Sequence, residues 1–174
     1  AHEEGTPVMR PMVFEFMNDP AVPYLDQQYM LGDALLVAPV FREDKVAQYY
    51  LPEGTWTELL TGETKEGGRW YQGTYDYFSM PLYVRENSIV VRGNCDTKPD
   101  YDYADHATVC VYQLKDAAET KVPDIHGNNV FTVKAVKDGD TVEGAHTELK
   151  VEVFVGNEKK EAVLAADASE VVVA

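Results

Sequence analysis

From Ala34 onward, apolar residues occur in short runs in which they alternate with polar ones. The runs within residues 34–97 are ALLVAPVF, VAQYYLP, TWTELL and PLYVRENSIVVRG, and the turn-forming groups PEG, TGE and EGG separate them. Short runs with a period of two residues, flanked by Gly and Pro, are typical of antiparallel strands. The pattern therefore predicts a β-sandwich over residues 34–97.

The alternation is interrupted at RGNCDTKPDYDYAD, where polar and turn-forming residues cluster without periodicity. We interpret this stretch as a linker. Alternation returns beyond it in TVCVYQL, NVFTVKAV, ELKVEVFVG and SEVVVA. Gly-Asn and Lys-Asp-Gly-Asp, which favour hairpin turns, lie in this part of the chain. The pattern predicts a second small antiparallel β-sandwich over residues 98–174.

Residues 1–33 follow a different pattern from the rest of the chain. The apolar-rich run PVMRPMVFEF, residues 7–16, predicts a buried strand, and DPAVPYLDQQYMLG predicts a short helix after it. Asp19 is a candidate N-cap for that helix, and Pro20 would occupy its first position. A strand that leads into a helix is typical of an α/β fold. We therefore predict a segment of different origin ahead of the two sandwiches.

Aromatic residues are concentrated in YYLPEGTWTELLTGETKEGGRWY, residues 49–71. Two interpretations are open, because aromatic side chains in strands serve either as core or as a platform for sugar rings. We expect core, and the platform interpretation holds only for a ring that is exposed. The side chains concerned are Tyr49, Trp56, Trp70 and Tyr71.

Proline and glycine in the same stretch are predicted to have structural roles. Pro52 and Gly54 favour a tight turn before Trp56. The pair Gly67-Gly68 allows a positive φ before the next strand.

Charge and the amino end restrict the kinds of partner. The chain of 174 residues has 30 acidic and 15 basic side chains, which gives a formal net charge of −15. This charge repels phosphate backbones and anionic membrane surfaces, so we expect neither a nucleic-acid nor a membrane partner. The first residues, AHEEGTPVMRP, contain no initial Met, no basic start and no apolar signal core. We expect a piece of a longer, cytoplasmic protein.

Cysteine and histidine do not form a recognisable metal motif in the sequence. Cys95 and Cys110 are fifteen residues apart, and we expect two buried thiols. Four histidines lie about twenty or more residues apart, without the close grouping that places two imidazoles on one metal. We therefore predict no metal and no cofactor. The histidines are His2, His106, His126 and His146.

The charged side chains are predicted to have structural or solvent-exposed roles. Arg10 and Arg85 are candidates for structural ion pairs or buried hydrogen bonds. The acidic residues occur in polar stretches where a solvated surface is expected. The acidic groups concerned are Glu3-Glu4, Glu43-Asp44 and Glu63/Glu66.

Three phrases occur in an order that resembles a known family. They are YLPEGTWTELLTGE, GGRWY and FSMPLYVRENSIVVRG, and they resemble the β-sandwich that follows the catalytic barrel in glycoside hydrolase family 31. DQQYMLGDALLVAPVF, residues 26–41, is similar to the junction between barrel and sandwich. GTPVMRPMVFEF, residues 5–16, is similar to the eighth barrel strand. DQQYMLGD, SMPLYVREN and RGNCDTKPDY are most similar to bacterial α-xylosidases, and the α-glucosidases remain open.

The resemblance implies a mainly β fold with a specific origin. Two consecutive antiparallel β-sandwiches, a proximal one over residues 34–97 and a distal one over residues 98–174, would follow the last strand and short helix of a truncated (β/α)8 barrel, residues 1–33. The family implies retaining hydrolysis of α-linked sugars by two aspartates on mid-barrel strands. Those strands precede the eighth, so the resemblance implies that this chain lacks the catalytic pair.

The resemblance also implies partners. The chain would scaffold the catalytic barrel of its parent and meet the oligosaccharide substrate through that barrel. The apolar strand over residues 7–16, without its barrel neighbours, predicts self-association. Two alternatives stay open: a free-standing carbohydrate-binding module, and a purely structural assembly domain.

Overall fold

The computed structural model describes residues 5–136, 140–143, 145–168 and 170–171. The chain divides into two units, and the division falls between Glu86 and Asn87. We call the part up to Glu86 unit 1 and the part from Asn87 unit 2. Strands account for most of the regular structure in both units.

The described residues of unit 1 form eight short strands and two short helical segments. In chain order they are β1 (Met9–Pro11), α1 (Met12–Glu15), a 3₁₀ helix (Val22–Tyr24), β2 (Tyr29–Leu31), β3 (Leu35–Val37), β4 (Val46–Leu51), β5 (Thr55–Glu58), β6 (Thr64–Glu66), β7 (Arg69–Thr74) and β8 (Leu82–Arg85).

The strands of unit 1 form two antiparallel sheets. The larger sheet has the order β1-β2-β3-β8-β5-β6, and the smaller one pairs β4 with β7. Side chains from both sheets and from the amino-terminal segment meet in one core. In β4, for example, the alternate positions Ala47, Tyr49 and Leu51 are buried. Met12 and Met30 belong to the same core cluster as Tyr49 and Trp56. The amino-terminal segment is therefore part of unit 1.

The predicted strand over residues 7–16 is wrong in its extent. Only Met9–Pro11 is extended, where it pairs antiparallel with β2, and Met12–Glu15 forms a single helical turn. β2 is only three residues long, and its first residue, Tyr29, is already the partner of Pro11 in the antiparallel pair. Residues beyond Pro11 therefore have no strand opposite them, and an unpaired backbone satisfies its hydrogen bonds locally in a helical turn.

The predicted helix after Asp19 is also shorter than expected. It is the 3₁₀ helix Val22–Tyr24, and Tyr29 and Met30 lie in a strand instead. Asp19 accepts a hydrogen bond from the backbone N–H of Ala21 at 2.9 Å through its carboxylate, so it stabilises the turn that precedes the helix. The assignment of residues 1–33 to a catalytic barrel stays a prediction.

Glycine closes the turn before Trp56, as the sequence predicted. Gly54 has φ +124° and Gly68 has φ +75°, both in the region that favours glycine. The N–H of Gly67 donates to the carbonyl of Gly54 at 2.7 Å. A Cβ atom on Gly67 would lie 1.7 Å from the carbonyl oxygen of Pro52, so only glycine fits there.

The described residues of unit 2 form two four-stranded sheets. Their strands are β9 (Ser88–Arg92), β10 (Thr108–Tyr112), β11 (Ala117–Pro123), β12 (Asn129–Val136), β13 (Asp140–Glu143), β14 (Leu149–Val155), β15 (Glu158–Leu164) and β16 (Glu170–Val171). One sheet has the order β15-β14-β10-β9 and the other β11-β12-β13-β16. The core contains Val109, Phe131, Val133 and Leu149.

The predicted mainly β fold of consecutive sandwiches is confirmed, with two differences in detail. The pair β10–β14 is parallel, whereas the other pairs among the described residues are antiparallel. β9, which the sequence analysis placed at the end of the proximal sandwich, pairs with β10 in unit 2. Thr108, Val109 and Cys110 extend this pairing opposite Arg92, Val91 and Val90.

A buried carboxylate lies on the sheet that contains β14. Glu152 is 4% exposed and contacts three cations, with Arg92 Nη2 at 2.8 Å, Lys150 Nζ at 2.9 Å and Lys159 Nζ at 3.5 Å. Burial alone would raise the pKa of Glu152, but the Lys150 hydrogen bond and the nearby positive charges outweigh it and lower this pKa. The ionised carboxylate is therefore part of the folded state.

We predict that replacing Trp56 with Ala lowers the free energy of unfolding by about 3–5 kcal/mol, because the indole is core. The side chain is 1% exposed, and its N–H donates to the carbonyl of Pro52 at 2.7 Å. Chemical denaturation followed by circular dichroism measures the loss. Trp70→Ala is the matched control, since that indole is 46% exposed. An unchanged stability of Trp56→Ala would contradict the assignment.

We predict that Glu152→Gln lowers stability at neutral pH and flattens its decline in acid. A carboxyl group whose folded pKa lies below its ordinary value of 4.5 stabilises the fold above that value. This contribution is lost as the pH falls through the folded pKa, so the window lies below about pH 5. Melting temperatures measured across that window check the effect.

The control for this experiment is Glu158→Gln, which removes an exposed carboxylate from β15 in the same sheet. At neutral pH it should lower the melting temperature less than Glu152→Gln does, because the Glu158 side chain is exposed. Equal slopes for Glu152→Gln and the unmodified chain would contradict the role of Glu152.

Candidate functional site

The aromatic stretch of residues 49–71 divides between core and surface. Trp56 and Tyr49 are each 1% exposed, which confirms the expected core role. Trp70 is different, because nearly half of its indole is exposed and its inner side packs on Tyr50 with 5.6 Å between ring centroids. The platform interpretation therefore survives at Trp70.

A lysine is enclosed by tyrosines between the two sheets of unit 1. Lys65 Nζ on β6 donates to Tyr83 Oη at 2.6 Å and to Tyr49 Oη at 3.0 Å. The ammonium also lies 5.2 Å from the ring centroid of Tyr71, within the range of a cation–π contact. Tyr75 donates to Tyr49 at 3.1 Å. Burial raises the pKa of both Tyr83 and Tyr75, so these phenols stay neutral donors and acceptors.

This lysine–tyrosine cluster has the properties of a structural contact and not those of a catalytic site. Its members come from β4, β6, β7 and β8 and from the residue after β7, so it joins the two sheets. A nucleophilic tyrosine or a catalytic lysine needs a pKa shifted toward neutrality. Tyr83 and Tyr75 are shifted in the opposite direction. No motif in the sequence points to this cluster.

Glu15 lies between the two arginines singled out in the sequence. Arg10 Nη1 contacts Glu15 Oε1 at 2.5 Å, and Arg85 Nη1 lies 3.9 Å from Glu15 Oε2. Arg85 also lies over the ring of Phe16, at 5.0 Å from its centroid. Both arginines therefore hold the structural contacts that the sequence predicted.

A cavity of about 580 Å³ brings Glu15 and Asp19 together with Glu53 and Arg85. Retaining glycosidases need one carboxylate as nucleophile and a second, with a raised pKa, as acid. Glu15 is bound by Arg10, and Asp19 by the N–H of Ala21. Glu15 and Asp19 are therefore engaged in structural contacts, which does not favour either of them as a catalytic carboxylate.

The acidic pairs that fall on described residues lie at the surface. Asp44 accepts hydrogen bonds from the Arg42 guanidinium, which lowers the pKa of Asp44 to about 2. Glu66 pairs with Arg69 at 3.1 Å. Glu3-Glu4 and His2 lie outside the described residues.

The two cysteines are free thiols in different surroundings. Cys110 is buried, as expected, and burial raises its pKa to about 11. Cys95 is only half-buried, contrary to the expectation, and hydrogen bonds with Thr97 lower its pKa.

The histidines of the described part are held by neighbouring carboxylates or lie in turns. His106 Nδ1 lies 2.6 Å from Asp105, and His146 Nδ1 lies 3.1 Å from Asp167. His126 is in the turn stabilised by Asp124. Within the ranges that the structure covers, no group of three or more His, Cys, Asp or Glu side chains could hold a metal ion. No helix in those ranges has the length and apolar character to cross a bilayer.

A small pocket on unit 1 joins exposed aromatic and amide side chains. Its volume is about 160 Å³, and Tyr24 and Trp70 lie at its rim. Gln28 forms part of the lining and is anchored to Tyr50, because its amide accepts from the Tyr50 N–H at 2.8 Å and donates to the Tyr50 carbonyl at 2.8 Å. Trp70 was a candidate from the sequence, whereas Tyr24 and Gln28 were not.

Two family models together cover most of the chain. Residues 5–90 match the model described as glycosyl hydrolase family 31 C-terminal domain. Residues 102–174 match the model described as alpha-xylosidase YicI, C-terminal domain. The two matches follow one another along the chain in the order of the two predicted sandwiches.

Individual relatives agree with these matches. The chain is 38% identical over 134 residues to alpha-xylosidase XylQ of Lactiplantibacillus pentosus, covering 75% of the chain and 18% of that protein. It is 32% identical over 124 residues to alpha-glucosidase 2 of Bacillus thermoamyloliquefaciens, covering 70% of the chain and 16% of that protein. The crystal structure of the family 31 α-xylosidase of Xanthomonas citri superimposes with a TM-score of 0.74 at 28% identity, covering 96% of this chain and 21% of that one.

The chain thus spans about a fifth of the length of the relatives that it matches. Both parts of it correspond to carboxyl-terminal domains, and the similarity extends across units 1 and 2. The chain belongs to glycoside hydrolase family 31, and it matches the carboxyl-terminal domains of the family's α-xylosidases and α-glucosidases.

Proposed function

We propose that this chain is the carboxyl-terminal scaffold of a retaining α-glycosidase that removes terminal α-linked xylosyl or glucosyl residues, with α-xylosides preferred. The consecutive matches to two carboxyl-terminal domain models carry the proposal. The names of two relatives, one known from its sequence and one from its crystal structure, support the preference for xylosides.

The chain alone is inactive in this proposal. Retaining hydrolysis needs a nucleophile and an acid/base about 5 Å apart on opposite sides of the sugar, in a pocket that positions both. Two carboxylates of the cavity described above have structural partners, since Glu15 contacts two arginines and Asp19 accepts from the N–H of Ala21. Asp33 lies in the turn between β2 and β3, where it is exposed to solvent. The catalytic carboxylates belong to the catalytic barrel of the parent.

Unit 1 provides a surface for that barrel. Exposed apolar side chains are concentrated in its first elements, with Val8 at 55%, Met9 at 61% and Met17 at 76% exposure, and Val13 and Phe14 beside them. We call these five side chains the amino-terminal apolar face. β1 also forms the edge of its sheet, where backbone groups are available for pairing. In the parent, the catalytic barrel covers this face, and in the isolated chain a second copy takes its place.

The enzymatic part of the proposal predicts turnover of aryl α-xyloside by the full-length parent and none by this chain. Both are incubated with aryl α-xyloside and aryl α-glucoside, and release of the aryl group is followed by absorbance. The parent should favour the xyloside, because its relatives include α-xylosidases. Turnover by the purified chain that disappears on Asp19→Asn or Asp33→Asn would contradict the assignment of its carboxylates to structural roles.

The scaffold part predicts that the isolated chain self-associates through the amino-terminal apolar face. Met9→Ser combined with Val13→Ser should shift the chain toward the monomer, because the variant removes apolar area without altering the buried Met12. Light scattering after size-exclusion chromatography measures the mass. The control is Val155→Ser with Val163→Ser, two exposed apolar side chains of unit 2. A chain that is monomeric before any substitution would overturn this part.

A further inference from the structure

We infer that the pocket at Trp70 binds a single sugar ring of an α-linked xylosyl or glucosyl saccharide. We call it the Trp70 pocket, and its lining residues are Tyr24, Leu25, Asp26, Gln27, Gln28, Gln48 and Trp70. The choice of saccharide rests on the proposed function, whereas the ability to hold a sugar ring rests on the geometry of the pocket.

The first observation is a pair of exposed aromatic rings at one pocket. Tyr24 is 76% exposed and Trp70 is 46% exposed, although burial of such large apolar surfaces is favourable. An exposed indole and phenol at one small concavity offer flat apolar faces to the C–H groups of a pyranose. Tyr and Trp side chains each have only two χ angles, so they lose little conformational entropy when a ligand binds.

The second observation is a set of polar side chains whose hydrogen-bonding groups are available. Asp26, Gln27 and Gln48 are exposed. Their side chains line the pocket and have no hydrogen-bond partner among the residues that the structure describes. A carboxylate accepts hydrogen bonds from hydroxyl groups, and a carboxamide both donates and accepts. This combination matches the hydroxyl groups of a neutral sugar, and the lining contains no cation that would select a phosphate or a carboxylate.

The third observation is that the pocket is held in place before any ligand arrives. The N–H of Tyr24 donates to the carbonyl of Ala21 at 3.0 Å within the 3₁₀ helix. The buried amide of Gln28 is fixed by both of its hydrogen bonds to Tyr50, and Trp70 packs on the ring of that same Tyr50. Gln28 and Trp70 are thereby joined through Tyr50, which reduces the entropy that they lose on binding.

The size of the pocket limits what it can bind. A volume of about 160 Å³ is suited to one sugar ring, since pockets that enclose drug-sized ligands are roughly 300–1,000 Å³. The remaining sugar units of an oligosaccharide would extend into solvent. Binding of one exposed ring predicts weak affinity, with saturation only at high sugar concentration.

The experiment is a calorimetric titration of this chain with methyl α-D-xylopyranoside, methyl α-D-glucopyranoside and α-D-xylosyl-(1→6)-D-glucose. We expect saturable binding of at least one of the three. Trp70→Ala and Tyr24→Ala should each weaken that binding at least tenfold, and Gln48→Ala should weaken it to a smaller extent. Melting temperatures identify any variant that has lost its fold, and Trp70→Phe, which keeps an aromatic face, should retain part of the affinity.

Two matched controls distinguish the pocket from general surface effects. Gln72 lies directly opposite Gln48 on the β4–β7 pair and is also exposed, but it is not among the lining residues. Tyr77 is 94% exposed elsewhere on unit 1. Gln72→Ala and Tyr77→Ala should bind like the unmodified chain.

Tryptophan fluorescence gives an independent readout. Trp56 is buried, so acrylamide should quench mainly Trp70, and a bound sugar should protect Trp70 from quenching. Absence of saturable binding with all three sugars would overturn the inference, as would binding that is unchanged in folded Trp70→Ala. Either result leaves the hydrolysis assay of the parent unaffected, and an inactive parent would overturn the proposed function without affecting the binding measurement.

Discussion

Two hydrogen bonds between the Gln28 side chain and the backbone of Tyr50 connect the parts of unit 1. β4 belongs to a sheet of two strands, so on its free side the backbone of Tyr50 has no strand to pair with. The Gln28 amide supplies one acceptor and one donor at that position, each at 2.8 Å. A buried backbone group left unsatisfied costs about 1–3 kcal/mol. Loss of the Gln28 side chain would leave both the N–H and the carbonyl of Tyr50 without this partner. Gln28 precedes β2 directly and thereby ties the larger sheet to the smaller one.

The lysine–tyrosine cluster solves a related problem deeper in the same unit. Phenol groups on β4, β7 and β8 cannot be buried at low cost unless their oxygens have partners. Lys65 provides N–H donors to two of them and a positive charge near the ring of a third. The two sheets of unit 1 are therefore joined by polar contacts at both of these places, while Trp56 and the methionines fill the apolar space between them.

Local pattern in the sequence was sufficient for the features that depend on neighbouring residues. The turn before Trp56, the positive φ values of Gly54 and Gly68 and the burial of Trp56 follow from Pro, Gly and aromatic residues within a few positions of one another. The strand over residues 7–16 could not be predicted correctly, because its length depends on how far β2 extends opposite it. Period-two alternation identifies a strand but leaves its partner open, as the parallel pair of β10 and β14 demonstrates.

The polar contacts that matter most for the candidate sites are long-range and were not predictable. Gln28 meets Tyr50 across 22 positions, Lys65 meets Tyr83 across 18, and Arg92 meets Glu152 across 60. For the last of these contacts, the sequence offers one signal: the charged residues Lys150 and Glu152 occupy alternating positions of the apolar run LKVEVFVG. The same limit applies to the Trp70 pocket, whose two aromatic side chains lie 46 positions apart in the numbering of the chain.

The two thiols differ in exposure and in pKa, so one of them should react with labelling reagents before the other. Thiolate is the reactive form of cysteine, so a thiol whose pKa is lowered and which is partly accessible reacts with electrophiles before a buried one with a raised pKa. Cys95 meets the first description and Cys110 the second. A maleimide dye or spin label added to the folded chain should therefore attach at Cys95, in the stretch between β9 and β10, with no need to remove Cys110 by mutation.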